Sequence, residues 1–333
     1  MQPFDYRPDD NRYNNGMKYR RCGRSGILLP EISLGLWHNC GDVDTFANSQ
    51  AMAHYAFDRG ITHFDLANNY GPSAGSAEET FGTIMKKSFM PYRDELFIST
   101  KAGHEMWPGP YGDWGSRKSL MSSLNQSLKR MNLDYVDIFY SHRYDPNTPL
   151  EETLQTLVDI VRQGKALYVG ISKYPAEKAA FAYQYLAERD VHCLLYQGRY
   201  SLFSREPEKT GILKQAQENG SGFIAFSPLA QGLLTNRYLN GIPEDSRMAR
   251  GGFLKKEALT EETLNRIKAL NALALQRGQT LAEMSLAWLL KDELVTSVII
   301  GASSVGQLAD NLKALDNTSF TQEELSLIEN ILA

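Results

Sequence analysis

Four side chains in this 333-residue chain have the residue types and the order for shared acid–base chemistry: Asp65, Tyr70, Lys101 and His142. A free tyrosine, with a pKa of about 10, is a poor proton donor near neutrality. A neighbouring Lys101 ammonium favours the phenolate and is expected to lower that pKa. Asp65 can hold the lysine charged and in place. His142 can orient a carbonyl oxygen or share the proton. The set suits general acid catalysis at a carbonyl group. Taken singly, each residue has a plainer use. Asp65 fits a helix N-cap or a turn. Tyr70 fits a turn aromatic, Lys101 a solvated strand end, and His142 a satisfied polar group. Their joint occurrence at the ends of apolar runs favours one site.

Those runs are the elements that must position the four. Residues 61–72 read Ile-Thr-His-Phe-Asp-Leu-Ala-Asn-Asn-Tyr-Gly-Pro, an apolar run that ends in Asp65 and turns through Asn68, Asn69, Gly71 and Pro72. A second run, 95–101, ends in Lys101, and a third, 135–142, ends in His142. The carboxyl ends of the strands are where a parallel barrel places its chemistry. Strands are expected at 31–35, 62–66, 96–100, 136–140, 167–171, 194–197, 223–226 and 298–300. Eight is the barrel number. Helical periodicity fits 49–59, 77–87, 119–131, 150–163, 176–188, 211–218, 261–277, 281–290, 305–314 and 322–332. Gly60, Gly164, Gly220 and Gly278 stand where helix C-caps belong. The alternation predicts an α/β fold, a single (β/α)8 TIM barrel over 17–333 with long βα loops. A short hairpin over 18–29 is a candidate plug for the barrel bottom, and 1–16 reads as a polar N-terminal arm. An open doubly wound sheet is the competing architecture. No Gly-x-Gly-x-x-Gly follows the first strand, so a Rossmann-type dinucleotide site lacks support.

Composition narrows the class. Hydrophobic residues make up 42% of the chain, enough for a sizeable core, and the net charge of −4 gives no general attraction to nucleic acid or an anionic membrane. No apolar run approaches the roughly 20 residues of a membrane span. The first residues lack the apolar core of a secretory signal. Cys22, Cys40 and Cys193 are an odd number without metal-type spacing, which fits reduced thiols in a cytoplasmic protein and no metal site.

The tetrad, with Ser33-Leu-Gly-Leu-Trp37, Tyr135-Val-Asp-Ile-Phe-Tyr-Ser-His-Arg143, Gly170-Ile-Ser172, Phe226-Ser-Pro-Leu-Ala-Gln-Gly-Leu233 and Ile300-Gly-Ala-Ser303, resembles the aldo-keto reductases. The likeness runs from about Lys18 to the last helix. It is greatest to the potassium-channel β-subunit-like branch and, through the loop Met106-Trp-Pro-Gly-Pro-Tyr-Gly112, to the bacterial L-glyceraldehyde 3-phosphate reductases. The resemblance implies that Tyr70 protonates a carbonyl while NADP(H) supplies a hydride.

It also implies a cofactor path. Trp37 would border the nicotinamide. Ser172 and Gln197 would hold the carboxamide, with Lys173 beside them. Phe226, Ser227, Pro228, Leu229, Gln231, Gly232 and Leu233 would run under the pyrophosphate. Arg237 and Arg247 match phosphate contacts, for which the guanidinium fork is suited. Gly301, Ser303, Gln307, Asp310 and Asn311 match the adenosine-phosphate end, where a helix N-terminus attracts phosphate. Ser304 replaces an arginine of several relatives, and Asp310 is shorter than the expected glutamate. The segment 103–115 carries Trp107, Tyr111 and Trp114. It could roof a pocket shared with Trp37, Tyr70 and His142, or pack on a neighbouring helix, and Arg117 could meet a substrate phosphate. The implied substrate is a small aldehyde, a triose phosphate or methylglyoxal, and the implied assembly a homo-tetramer or octamer. A slow, nicotinamide-binding regulatory channel subunit is the rival, against which His142 counts, since such subunits tend to carry asparagine there.

Overall fold

The computed structural model describes residues 6–239, 241–243, 248, 251 and 254–333. Strands β1 (Tyr19–Arg21) and β2 (Leu28–Pro30) pair as an antiparallel hairpin. The barrel strands follow: β3 (Ile32–Gly35), β4 (His63–Asp65), β5 (Phe97–Ala102), β6 (Val136–Ser141), β7 (Ala166–Ser172), β8 (Cys193–Arg199), β9 (Gly222–Phe226) and β10 (Ser297–Ile300). Each pairs in parallel with its neighbour, and β10 pairs with both β9 and β3, which closes the barrel. All eight expected strands form, with ends shifted by a residue or two. Helices lie between them, among them α1 (Phe46–Asp58), α2 (Ser76–Ile84), α3 (Arg117–Met131) and α4 (Leu150–Arg162). The glycines expected as C-caps have φ of 80° at Gly60, 69° at Gly164, 71° at Gly220 and 70° at Gly278, the left-handed region that lets a helix stop.

Alternation along the strands builds two apolar layers. One residue set faces outward to the helices and includes Leu34, Phe64, Ile98, Phe139 and Ile171. The other fills the barrel and includes Phe97, Ile138, Tyr140, Leu195, Ile224 and Ile299. Cys22 and Leu29 of the hairpin belong to this inner set, so the hairpin plugs the bottom. Gly23 allows the plug to seat, because a Cβ there would lie 2.0 Å from the Gly220 carbonyl oxygen. Residues 6–16 lie against α1, where the Tyr6 hydroxyl donates to Asp58 at 2.7 Å and the ring stacks on His54 at 3.9 Å.

The register positions the polar residues. Asp65 is level with Ser99, and His63 is level with Phe97. Lys101 lies two residues beyond Ser99 on the same inward face. The inner layer is therefore apolar at the plug and charged at the carboxyl end.

Candidate active site

Lys101 is fully buried and makes three contacts. Its Nζ donates to Asp65 Oδ2 at 2.6 Å, to the Leu66 carbonyl at 2.6 Å and to the Tyr70 hydroxyl at 3.1 Å. Tyr70 sits in the turn after β4. That turn is pinned to β5 by the Asn68 amide, which donates to the Lys101 carbonyl at 2.9 Å, and to the β3 loop by the Gly71 amide, which donates to the Trp37 carbonyl at 3.1 Å. His142 follows β6, and its ring stands edge-on to the Tyr70 ring at 5.9 Å. The structure therefore brings all four expected acid–base residues together.

Asp65 is the hub of a wider network. Its Oδ1 accepts from Ser99 at 2.7 Å and from the Gln197 amide at 3.1 Å. His63 Nε2 lies 3.1 Å from Ser99 Oγ, and its Nδ1 lies 2.8 Å from Ser33 Oγ. Ser33 Oγ is in turn 2.6 Å from Ser297 Oγ. Ser99 donates its one hydroxyl proton to Asp65, so it must accept from His63. His63 then carries its proton on Nε2 and accepts from Ser33 at Nδ1. A directional chain of hydrogen bonds thus crosses the barrel interior from Ser297 to Asp65. His63, Ser33 and Ser297 went unnoticed as functional candidates because their inward alternation was the only sequence signal.

Charge and burial set the protonation states. Burial pulls the Lys101 ammonium down, but Asp65 and Tyr70 more than offset this, and its pKa is raised. Tyr70 departs from the expected lowering. Burial raises its pKa, Lys101 opposes that without overcoming it, and the phenol stays protonated in the resting site. His142 is held well below the usual histidine range by burial and by Lys101 and Lys173, so it is a neutral imidazole.

Above Tyr70 lies a cavity of about 340 Å³. Asp65, Tyr70, Trp37, Phe226, Ser227, Pro228, Leu229, Gln231, Gly232, Arg237, Gly301, Ser303 and Gln307 line it together, and all but Asp65 and Tyr70 are residues of the expected cofactor path. His38, Asn39, Thr235 and Tyr238 also line it and were missed, having no motif of their own. Ser172, Lys173, Gln197, Leu233, Asp310 and Asn311 do not line it. Gln197 is spent on Asp65, and Leu233 and Asn311 are buried. Asp310 pairs with Lys313 at 2.7 Å on the surface, and Lys173 turns to His104. Arg247 lies outside the described residues. Ser304 caps the helix that follows Ser303, accepting from the Gln307 amide. Arg117 pairs with Asp159 of α4 on the outer wall, so it is committed away from the site.

The cavity fits an extended diphosphate ligand. Ser227, Ala230 and Gln231 have φ of 55°, 47° and 59°, left-handed values that non-glycine residues seldom adopt and that cluster at ligand sites. A right-handed residue followed by a left-handed one, as at Leu229 with φ of −97° and Ala230, turns successive backbone N–H groups towards one anion-binding concavity. Ser172 Oγ and Asn311 Nδ2, outside that lining, are buried without a hydrogen-bond partner among the described residues.

The segment 103–115 folds on itself beside His142. The Met106 amide donates to the Gly112 carbonyl at 2.8 Å. Arg143 binds Asp113 at 2.6 Å and the Gly103 carbonyl at 2.6 Å, and its guanidinium stacks on Trp114 at 3.6 Å. Tyr111 is 54% exposed, and the Lys118 ammonium of α3 lies 5.6 Å from the centre of its ring. Among the described residues no group of three or more His, Cys, Asp or Glu could hold a metal ion, and no helix is long and apolar enough to cross a membrane.

A closed parallel barrel whose carboxyl end presents a Tyr–Lys–Asp–His set beneath such a cavity is suited to proton transfer at a bound carbonyl group. The chain belongs to the aldo/keto reductase family, whose sequence profile matches residues 31–333. It is 57% identical over 321 residues to the L-glyceraldehyde 3-phosphate reductase of Escherichia coli O157:H7 and 56% identical to that of strain K12, in each case over 95% of this chain and 93% of the relative. It is 35% identical over 306 residues to a probable voltage-gated potassium channel subunit beta of Oryza sativa subsp. japonica, over 90% of this chain and 92% of that protein.

Proposed function

We propose that the protein reduces small aldehydes with NADPH, that L-glyceraldehyde 3-phosphate is its principal substrate and that methylglyoxal is a lesser one. The observation that carries the reading is Lys101 Nζ held between Asp65 at 2.6 Å and the Tyr70 hydroxyl at 3.1 Å on the floor of the cavity. The 57% identity to L-glyceraldehyde 3-phosphate reductase supports the choice of aldehyde. When bound, the nicotinamide supplies the hydride. Trp37 and Ser172 would orient that ring, the loop from Ser227 to Gly232 and Arg237 would hold the diphosphate, and Ser303 and Gln307 the adenosine end.

The chain's own residues handle the proton. Tyr70 is protonated at rest and donates to the carbonyl oxygen as negative charge develops there. The phenolate left behind faces Lys101, whose charge favours that state. Asp65 keeps Lys101 charged, and Ser99 and Gln197 fix the carboxylate. His142, neutral, can donate its single N–H to the same carbonyl oxygen and set its direction. Segment 103–115 and Trp37 limit the site to small carbonyls and exclude water. The test is NADPH and NADH oxidation against a panel of aldehydes. A marked preference for NADPH with L-glyceraldehyde 3-phosphate is expected, and cofactor binding without turnover on any aldehyde would favour a regulatory, channel-subunit-like role.

A further inference from the structure

The rim of the barrel beside His142 carries cations that the chemistry above does not use. Lys173 follows β7 with φ of 57°, a left-handed value rare for a residue with a side chain. Its Nζ lies 3.0 Å from His104 Nε2. The His104 ring stands edge-on to the His142 ring at 4.5 Å, so Lys173 is one imidazole beyond the ring that faces Tyr70. Among the described residues no carboxylate pairs with Lys173. Burial first, and then the charges of Lys101, Arg143 and Arg199, all cations, bring its pKa down to about 8. Arg143 is already committed to Asp113 and the Gly103 carbonyl. Among the described residues neither Lys173 nor Arg199 forms an ion pair with a carboxylate.

Gathered cations repel one another until an anion arrives, so such a rim favours a negatively charged ligand group. Burial and Lys173 hold the His104 pKa down to about 4, so its ring is neutral and accepts the lysine proton at Nε2. Its own N–H is then on Nδ1. Lys173 has three donors and spends one on His104, which leaves two for ligand oxygens.

We infer that Lys173 and His104, with Arg199 beside them, form an anion subsite for the phosphate monoester of the aldehyde substrate. The inference rests on the triose phosphate reading above and assigns its specificity to three residues outside the tetrad. A three-carbon aldehyde is the kind of ligand that could place its carbonyl at Tyr70 and His142 while its phosphate reaches the neighbouring rim. Lys173 would then serve the substrate rather than the carboxamide of the cofactor.

The experiment compares L-glyceraldehyde 3-phosphate with L-glyceraldehyde at saturating NADPH, in the full chain and in Lys173→Met, with inorganic phosphate as a competitor. Losing a charge-assisted contact is expected to lower kcat/KM on the order of ten- to a hundredfold more for the phosphorylated aldehyde than for the other. Inorganic phosphate is expected to compete with L-glyceraldehyde in the full chain and to lose that effect in the variant. His104→Phe is expected to shift the same ratio by a smaller factor. Equal losses for both aldehydes, or phosphate competition that survives in Lys173→Met, would overturn the subsite. If phosphate competes through Lys173 but the full chain does not prefer the phosphorylated aldehyde, the subsite stands and the triose phosphate reading falls.

Discussion

Lys101 Nζ, fully buried at the carboxyl end of the barrel, lies 3.1 Å from the Tyr70 hydroxyl, which borders the cavity. The phenol is protonated at rest, and a cation waits for the phenolate. Tyr70→Phe removes only the proton donor, while the diphosphate-binding loop and the Ser303 end are elsewhere. We expect turnover to fall roughly 10²–10⁴-fold, the usual worth of general acid catalysis. NADPH affinity by fluorescence titration should change little. Near wild-type kcat on a good aldehyde would exclude Tyr70 as the acid.

The Lys101–Asp65 pair also bears on stability. Both groups are buried, with side-chain exposures of 0% and 3%. Lys101→Met leaves Asp65 as an uncompensated buried charge, which costs about 3–5 kcal/mol. Asp65→Asn together with Lys101→Met removes both charges and is expected to recover much of that loss without recovering activity. Denaturant unfolding of the two variants checks this. If the double variant is no more stable than Lys101→Met, the stranded carboxylate is not the cause.

His63 predicts a pH dependence. Burial holds its pKa down to about 4 against an unfolded value near 6.5. The unfolded chain therefore binds more protons between these values. The stability that the neutral ring contributes is present above pH 6.5 and is lost as pH falls through about 4. By linkage the loss is about 3 kcal/mol for this group. Stability measured at pH 7 and pH 4.5 should fall less in His63→Gln than in the parent chain. An identical fall in both would mean that His63 is not titrating in this window.

The barrel and the tetrad were legible because each strand announces itself as an apolar run, and four of its ionisable residues stand at or just after run ends. The charge balance was not legible. Sequence places Lys101 near Tyr70, but only the structure shows Lys101 fully buried and the phenol partly withdrawn from water, and that burial reverses the expected direction for the phenol. The chain from Ser297 through Ser33, His63 and Ser99 was hidden for a similar reason. Small hydroxyls inside a strand look like ordinary barrel filling until the register sets them level. The cofactor loops were legible through family phrases, whereas His38, Asn39, Thr235 and Tyr238 reach the cavity only through loop geometry. Lys173 was read as a neighbour of the cofactor, and the left-handed turn that carries it to His104 has no sequence mark.

The last expectation concerns segment 103–115. Arg143 joins this loop to the strand end that carries His142, through Asp113, the Gly103 carbonyl and the face of Trp114. Gly112 is needed for its tight fold, since a Cβ there would lie 1.9 Å from the Trp107 carbonyl oxygen. Loops at this end of a barrel set specificity, and flat aromatics beside the site exclude water. Replacing 106–114 by a short glycine turn is therefore expected to raise KM for the best aldehyde several-fold, on the order of the 1 kcal/mol that a lost aromatic contact contributes. Affinity for NADPH should hold, because the cavity lining does not include this loop. Arg143→Met should raise KM in the same direction, since it releases Asp113 and Trp114 together. If the segment only stiffens the fold, the melting temperature would drop while KM stayed the same. Measuring both on each variant decides the matter, and an unchanged KM in a folded protein would rule out the segment as a lid.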